Sequence, residues 1–293
     1  YLSDFDFADI TGKIGDDAFW ACTSLTEVNA PKITEIGKYS FADCVNLESF
    51  SAAKLEKIGD GAFSTITNVK QTNKIVNLSL PSLKEIGEGT FYLNKNLKNV
   101  NLPALTELGN HAFDNCTALE SITFSNDLKN VSDYAFFGCI SLKSFDVSHV
   151  TTFGEAAFYG VPLPKVLNLN AAENVGRYAF YFDKDATGLE SSALESVSAP
   201  NLTYVGIYAF YNNENLKSVS APKLTTIDKL AFAGTAIEEF EVGDALTKVE
   251  LHAFQKCNSL KAFFVTVNGE KKYDGEFGTV KLVDGALYLI QPD

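Results

Sequence analysis

The sequence predicts an α/β repeat solenoid: about eleven units of about 22 residues, stacking a parallel β-sheet through short helical turns. Three observations carry this. First, a marker phenylalanine recurs at Phe19, Phe41, Phe63, Phe91, Phe113, Phe136, Phe158, Phe180, Phe210, Phe232 and Phe254, and seven of the ten intervals are 22. Second, the residues around each marker share one grammar, I-G-x-x-A-F-x-x-C-x-x-L-x-x-V-x-x-P-x-L. Third, no unit is long enough to bury its own apolar face, so neighbouring units must cover one another.

The elements follow in chain order. "SDFDFADITG" (3–12) alternates Asp and Phe, which predicts an edge strand with Phe5 and Phe7 inward, covering the first unit. In each unit "LTEVNAP" reads as one short strand closed by proline, and "KITEIG" as a second stopped by glycine. "DDAFWAC" is too short for a lone helix and is expected to be a single helical or 3₁₀ turn. Intervals of 28 and 30 place insertions near "QTNKIV" (71–76) and "DKDATGLESS" (183–192). Eleven turns at strand spacing would stack to roughly 50 Å. The period stops after Phe264, so the solenoid is assigned to 1–264. Residues 265–293 are a C-terminal β cap or the start of a truncated further repeat. There the pairs Asn268-Gly269, Asp274-Gly275 and Asp284-Gly285 mark hairpin turns.

"IGDDAFWACTSLTEVNAPKITEIG" resembles the BspA-like leucine-rich-repeat family of bacterial surface proteins, over roughly residues 10–264. The resemblance implies a curved, right-handed solenoid, secreted or held at the cell surface, that binds other proteins. It implies no catalytic residue.

Composition narrows the function classes. Net charge is −13 and Arg177 is the only arginine, so nucleic acid and anionic membranes are poor partners. No apolar run approaches the ~20 residues of a membrane span. The chain begins at Tyr1 and contains no methionine, which reads as a mature or trimmed fragment. A leader or anchor is expected outside it, and the expected location is extracellular or cell-surface.

Residues capable of chemistry are present but not gathered. Cys22, Cys44, Cys116, Cys139 and Cys257 all stand three residues after a marker ring, in a slot that elsewhere holds Ile66, Asn94, Val161, Asp183, Asn213 and Thr235. A metal or nucleophile site would not be diluted in this way, so the thiols read as buried, reduced fillers, although Cys22/Cys44 and Cys116/Cys139 could neighbour one another. His111 and His252 occupy a tolerant slot two residues before the marker and, like His149, are expected at the surface. Asp4, Asp6 and Asp9 lack the spacing of a calcium loop. Without a nucleophile, base and orienter together, no enzyme, cofactor or metal is expected.

The non-periodic signal is aromatic. The slots at minus two and plus one flank the marker ring and carry Trp20 in the first unit. In the middle units they carry Tyr134/Phe137, Tyr159, Tyr178/Tyr181 and Tyr208/Tyr211. Stacking would gather them into a stripe. It is either a binding surface or rings packing on one another to stiffen the turns. A second row, including Asn29, Ser51, Ser79, Asn101, Thr123 and Ser220, lies on the outward strand slot and reads as a solvated face or a hydrogen-bonding ladder for a partner. The expected function is non-catalytic, adhesin-like recognition of a protein ligand by a monomer. A glycan-binding module using the tyrosines and a structural spacer are the alternatives.

Overall fold

A computed structural model describes residues 5–67, 70–243, 245–250, 252–267, 270–273, 280–283 and 286–289. The chain is a parallel-strand β-solenoid of about eleven turns. Its contacts divide it into two units, 1–146 and 147–293, described in turn.

In the first unit the strands Gly12–Ile14, Ile33–Ile36, Lys57–Ile58, Glu85–Ile86 and Glu107–Leu108 form one parallel sheet in chain order. Register advances by one period per strand, so Ile36 faces Ile58 and Ile86 faces Leu108. A second face pairs Glu27–Asn29 with Ser49–Ser51, and Asn77–Ser79 with Asn99–Leu102 and Ser121–Phe124. The first insertion lies between these two groups. On this second face only the middle residue of each three-residue strand points inward, as Val28, Phe50 and Leu78 do. The second unit repeats the plan. Thr152–Phe153, Asn174–Val175, Tyr204–Val205, Thr226–Ile227 and Lys248–Val249 form one parallel face. Val166–Asn168, Ser196–Ser198, Ser218–Ser220, Glu239–Glu241 and Ala262–Val267 form the other.

The marker phenylalanines make the core of both units. In the first, successive rings from Phe19 to Phe136 stack with centroids 5.1–5.5 Å apart. In the second, rings from Phe158 to Phe254 do the same at 5.2–5.6 Å. Burying one such ring contributes roughly 1.5–3 kcal/mol, and each stacked pair about 0.5–1.5 kcal/mol more.

The segment around each marker is not the expected helical turn. It is a run of hydrogen-bonded turns broken by left-handed residues. In the first unit Asp17 has φ 55° and Ala21 φ 53°, with Trp20 N–H donating to Asp17 O and Cys22 N–H to Phe19 O. The physical reason lies in the next turn. Asp17, Phe19 and Ala21 donate their N–H groups forward to the carbonyls of Lys38, Ser40 and Ala42 at 2.8–2.9 Å. A helix would have spent those donors internally. The same forward ladder recurs where Phe158 donates to Ala179, Phe180 to Ala209 and Phe210 to Ala231.

Backbones nest where strand becomes turn. A Cβ on Gly59 would stand 2.8 Å from the carbonyl carbon of Gly37, and one on Gly109 2.4 Å from that of Gly87. The recurring glycine after Ile is therefore a close-approach residue.

The slot three residues after the marker follows a rule that the sequence hides. Cys44, Cys116, Cys139 and Cys257 each point a thiol at the marker carbonyl of the preceding turn: Phe19, Phe91, Phe113 and Phe232, all at 3.1 Å. All five cysteines are free. Asn94 and Asn213 make the same bond to Phe63 O (2.8 Å) and Phe180 O (2.9 Å). Each of those two turns follows an insertion, and each asparagine also accepts a bond from the segment that leads out of the insertion. Asn73 Nδ2 bonds Asn94 Oδ1, and Ser192 Oγ donates to Asn213 Oδ1 at 2.7 Å. Ile66 and Asp183, counted into this slot by spacing, have left it. Ile66 is exposed, and Asp183 caps the one-turn helix Lys184–Thr187.

At the N-terminus the described residues 5–11 form no strand. Residues 5–7 are irregular, and Asp6 accepts the Ala8 N–H at 2.8 Å, closing a local turn that competes with pairing. Phe5 and Phe7 nevertheless both reach the Phe19 ring, at 5.3 and 5.0 Å. At the other end Ala262–Val267 pairs antiparallel with Glu270–Tyr273, and Val280–Val283 with Ala286–Leu289. The turn pairs Asn268-Gly269, Asp274-Gly275 and Asp284-Gly285, and Asp4 at the other end, lie outside the described residues.

Candidate functional site

Five of the seven candidate side chains form a two-column ladder in the second unit. Tyr159, Tyr181 and Tyr211 stack in one column, 4.7 and 5.2 Å apart and within 12° of parallel. Tyr178 and Tyr208 stack in the other at 5.0 Å and 8°. Edge contacts tie the columns together, Tyr178 to Tyr181 at 5.7 Å and Tyr208 to Tyr211 at 5.1 Å. The left-handed residue at minus two, φ 56° at Tyr178 and 58° at Tyr208, aims the ring sideways over the turn. All five rings are half-buried. Tyr181 has both faces covered, and each of the other four has one face stacked on a neighbour.

The ladder is anchored at both flanks. Tyr159 donates its hydroxyl to Asp183 at 2.9 Å, so the second insertion is held against the first ring. Burial, then this bond, pushes the Tyr159 phenol upward, and burial pushes Tyr181 in the same direction. Arg177 lies 4.8 Å over the Tyr178 ring. The ladder ends where Leu230 and Ala233, both buried, take the two slots of the next turn.

Tyr134 and Phe137 belong to the first unit. They meet at 5.8 Å, and Tyr134 stacks on His111 at 4.7 Å and 6°. His111 is thus a built-in part of the aromatic column rather than a loose surface residue. Its Nδ1 bonds the buried Asp114 at 2.7 Å, and Asn115 donates to the other carboxylate oxygen at 2.6 Å. Burial raises the Asp114 carboxyl above its usual range. His252 is exposed, as expected, and His149 is half-buried in a turn.

On the near side of His111 lies a groove of about 670 Å³ that the sequence reading missed. Its floor is Gly61 and Gly89, and Tyr39, Tyr92 and Ile66 form its walls. The available signal was two glycines in a slot that carries a ring or a bulky side chain in most other turns.

The outward strand row forms its own ladder. Ser51 donates to Asn29 (3.0 Å), Asn101 Nδ2 to Ser79 (3.2 Å) and Thr123 to Asn101 (2.6 Å). These groups satisfy one another turn by turn. On the other sheet, Lys13–Glu35 and Lys57–Glu85 alternate charge along the stack at 2.8 and 2.5 Å. Among the described residues no three His, Cys, Asp or Glu side chains cluster as a metal site.

The sequence pattern of the BspA type leucine rich repeat region matches in six copies, over residues 1–79, 70–187 and 188–284. The chain belongs to the BspA-type leucine-rich-repeat family. Among solved structures, this BspA-type chain is similar to a leucine-rich repeat protein from Bacteroides ovatus, with 24% identity and TM-score 0.63, covering 86% of this chain and 69% of that one. A leucine rich repeat protein of T. pallidum matches at 27% identity and TM-score 0.45, over 50% of this chain and 69% of the other. A leucine rich cell surface protein from Faecalibacterium prausnitzii matches at 20% and 0.44, over 86% and 76%. No curated protein matches. BspA-type repeats generally serve as protein-interaction scaffolds. No helix among the described residues is long and apolar enough to cross a membrane.

Proposed function

We propose that this BspA-type chain is a non-catalytic recognition module acting outside the cell, adhesin-like, that binds a protein ligand through the tyrosine ladder of its second unit. The observation that carries this reading is the ladder's geometry. Tyr159, Tyr178, Tyr181, Tyr208 and Tyr211 are pre-stacked and half-exposed. Ordering them costs little entropy on binding, and tyrosine edges supply both apolar area and hydroxyls. A sugar is favoured less, because a pyranose stacks on a ring face and the inner faces here are already covered. The cell-surface description of the F. prausnitzii protein supports the location.

The test is biolayer interferometry of the chain against purified extracellular matrix proteins. Binding by the wild type that drops about tenfold or more in Tyr181→Ala/Tyr211→Ala is expected for two interface tyrosines. Matrix binding untouched by that variant sinks the ladder as the site. Glycan-array binding that vanishes in the same variant supports the sugar reading instead.

A further inference from the structure

The groove of the first unit has the shape of an aromatic column with a ring left out. In the minus-two slot the first unit carries Tyr39, Gly61, Gly89, His111 and Tyr134 in successive turns. Tyr39 leans over Gly61: a Cβ there would stand 2.2 Å from Tyr39 Cε1, so that place is already filled. At Gly89 nothing closer than 3.8 Å meets a Cβ, and that contact is Tyr92 Cβ. His111 is stacked on Tyr134, and it lines the same groove as Gly89, which lies one turn before it. Stacked neighbours in these columns are 4.7–5.0 Å apart, so the step at Gly89 is one planar group deep.

The rim selects what that group should be. Asp60, Glu88 and Asp114 line the groove, and no lysine or arginine does. Asp60 is shared with Lys38 at 2.7 Å, and Asp114 is held by His111, while Glu88 stands exposed at the edge. The walls are apolar: Tyr39, Ile66 and Tyr92 are three of the eight exposed large apolar side chains among the described residues, and they converge on this one place. A flat, cationic group on an apolar stem matches all three features. A guanidinium stacks on ring faces and pairs with carboxylates, whereas an ammonium is compact and strongly hydrated.

We propose that the groove over Gly89 receives an arginine side chain of a partner protein, its guanidinium filling the vacant step of the column between Tyr39 and His111, with Glu88 as counter-charge. This site stands apart from the tyrosine ladder and does not depend on it.

The full chain is titrated by NMR with the capped peptide acetyl-Gly-Arg-Gly-amide and with the same peptide carrying Lys or Phe. The arginine peptide is expected to shift the Gly89 and His111 signals and to bind several-fold more tightly than either analogue. Gly89→Tyr should abolish this binding by filling the step from within. The fold should tolerate that change, because Tyr39, Tyr134, Tyr178 and Tyr208 sit in the same slot at φ 53–58° and Gly89 is at 56°. Glu88→Gln should weaken binding about threefold, as for one partly exposed ion pair. His111→Ala gives a second route to the same loss should Gly89→Tyr fold poorly. Equal binding of the Lys and Arg peptides, tightest binding of the Phe peptide, no binding of any, or undiminished binding by Gly89→Tyr and His111→Ala overturns the proposal.

Discussion

Cys139 and Asn94 occupy the same position in their turns and differ by one acceptor. The thiol of Cys139 donates to the Phe113 carbonyl, and the amide of Asn94 donates to Phe63 O while also accepting from Asn73. Replacing Cys139 by Ala removes a weak donor and a small volume, so the loss should be about 1–2 kcal/mol. Asn94→Ala takes the shorter bond from Phe63 O, leaving it the 3.3 Å bond from Asn73, and removes an acceptor from Asn73, so it should cost more, about 2–4 kcal/mol. Phe136→Ala should cost about 3–5 kcal/mol. Urea unfolding of the three variants tests the order. A Cys139 variant as damaging as the Phe136 variant would show that the thiol bond is stronger than its chemistry allows. Cysteine also gives the fold a pH dependence. Burial pushes the Cys44 thiol from 9.0 up to about 12, so the folded state holds a proton that the unfolded state releases. That stability is present below pH 9 and is lost as pH rises toward about 12. The melting temperature should therefore fall across this window, and fall less steeply in Cys44→Ala.

The turn is the element least legible in the sequence, and the reason is physical. The period, the two strands and the stacked phenylalanines could all be read from Ile, Leu and Phe spacing. The left-handed residue at minus two could not, because Asp17, Tyr39, His111, Leu230 and His252 all adopt it, at φ 53–66°. Its conformation is imposed by the forward hydrogen bonds to the next turn, a tertiary demand that overrides local preference. The cost persists and can be measured. His252 is exposed at φ 66°, so His252→Gly should be neutral or stabilising by up to about 1 kcal/mol, while a β-branched valine should cost about 1–2 kcal/mol. Thermal melts of the two variants should move in opposite directions. The candidate tyrosines were legible as a stripe, and their packing on one another was one of its two readings; the division into two columns was not legible. The groove at Gly89 was missed because a glycine in a tolerant slot looks like indifference, and its meaning comes from His111 and Tyr39 on either side.

At the scale of the whole chain, repetition makes stability nearly local, since each turn rests on its neighbours. Deleting residues 92–113, one full period, should leave a folded protein that still unfolds cooperatively. Deleting half that length should not, because the shortened turn cannot complete its coil, and the stack is interrupted there. Circular dichroism of the two deletions separates these outcomes. The same periodicity gives each unit an electrical direction. Around the markers from Phe19 to Phe113 and from Phe158 to Phe232, alternate peptide N–H groups such as those of Asp17, Phe19 and Ala21 point to the following turn, so these dipoles align along the stack rather than cancelling as they do across a sheet. Positive partial charge accumulates toward the C-terminal side of the turn ladder and negative toward the N-terminal side, the reverse of an α-helix read in chain order.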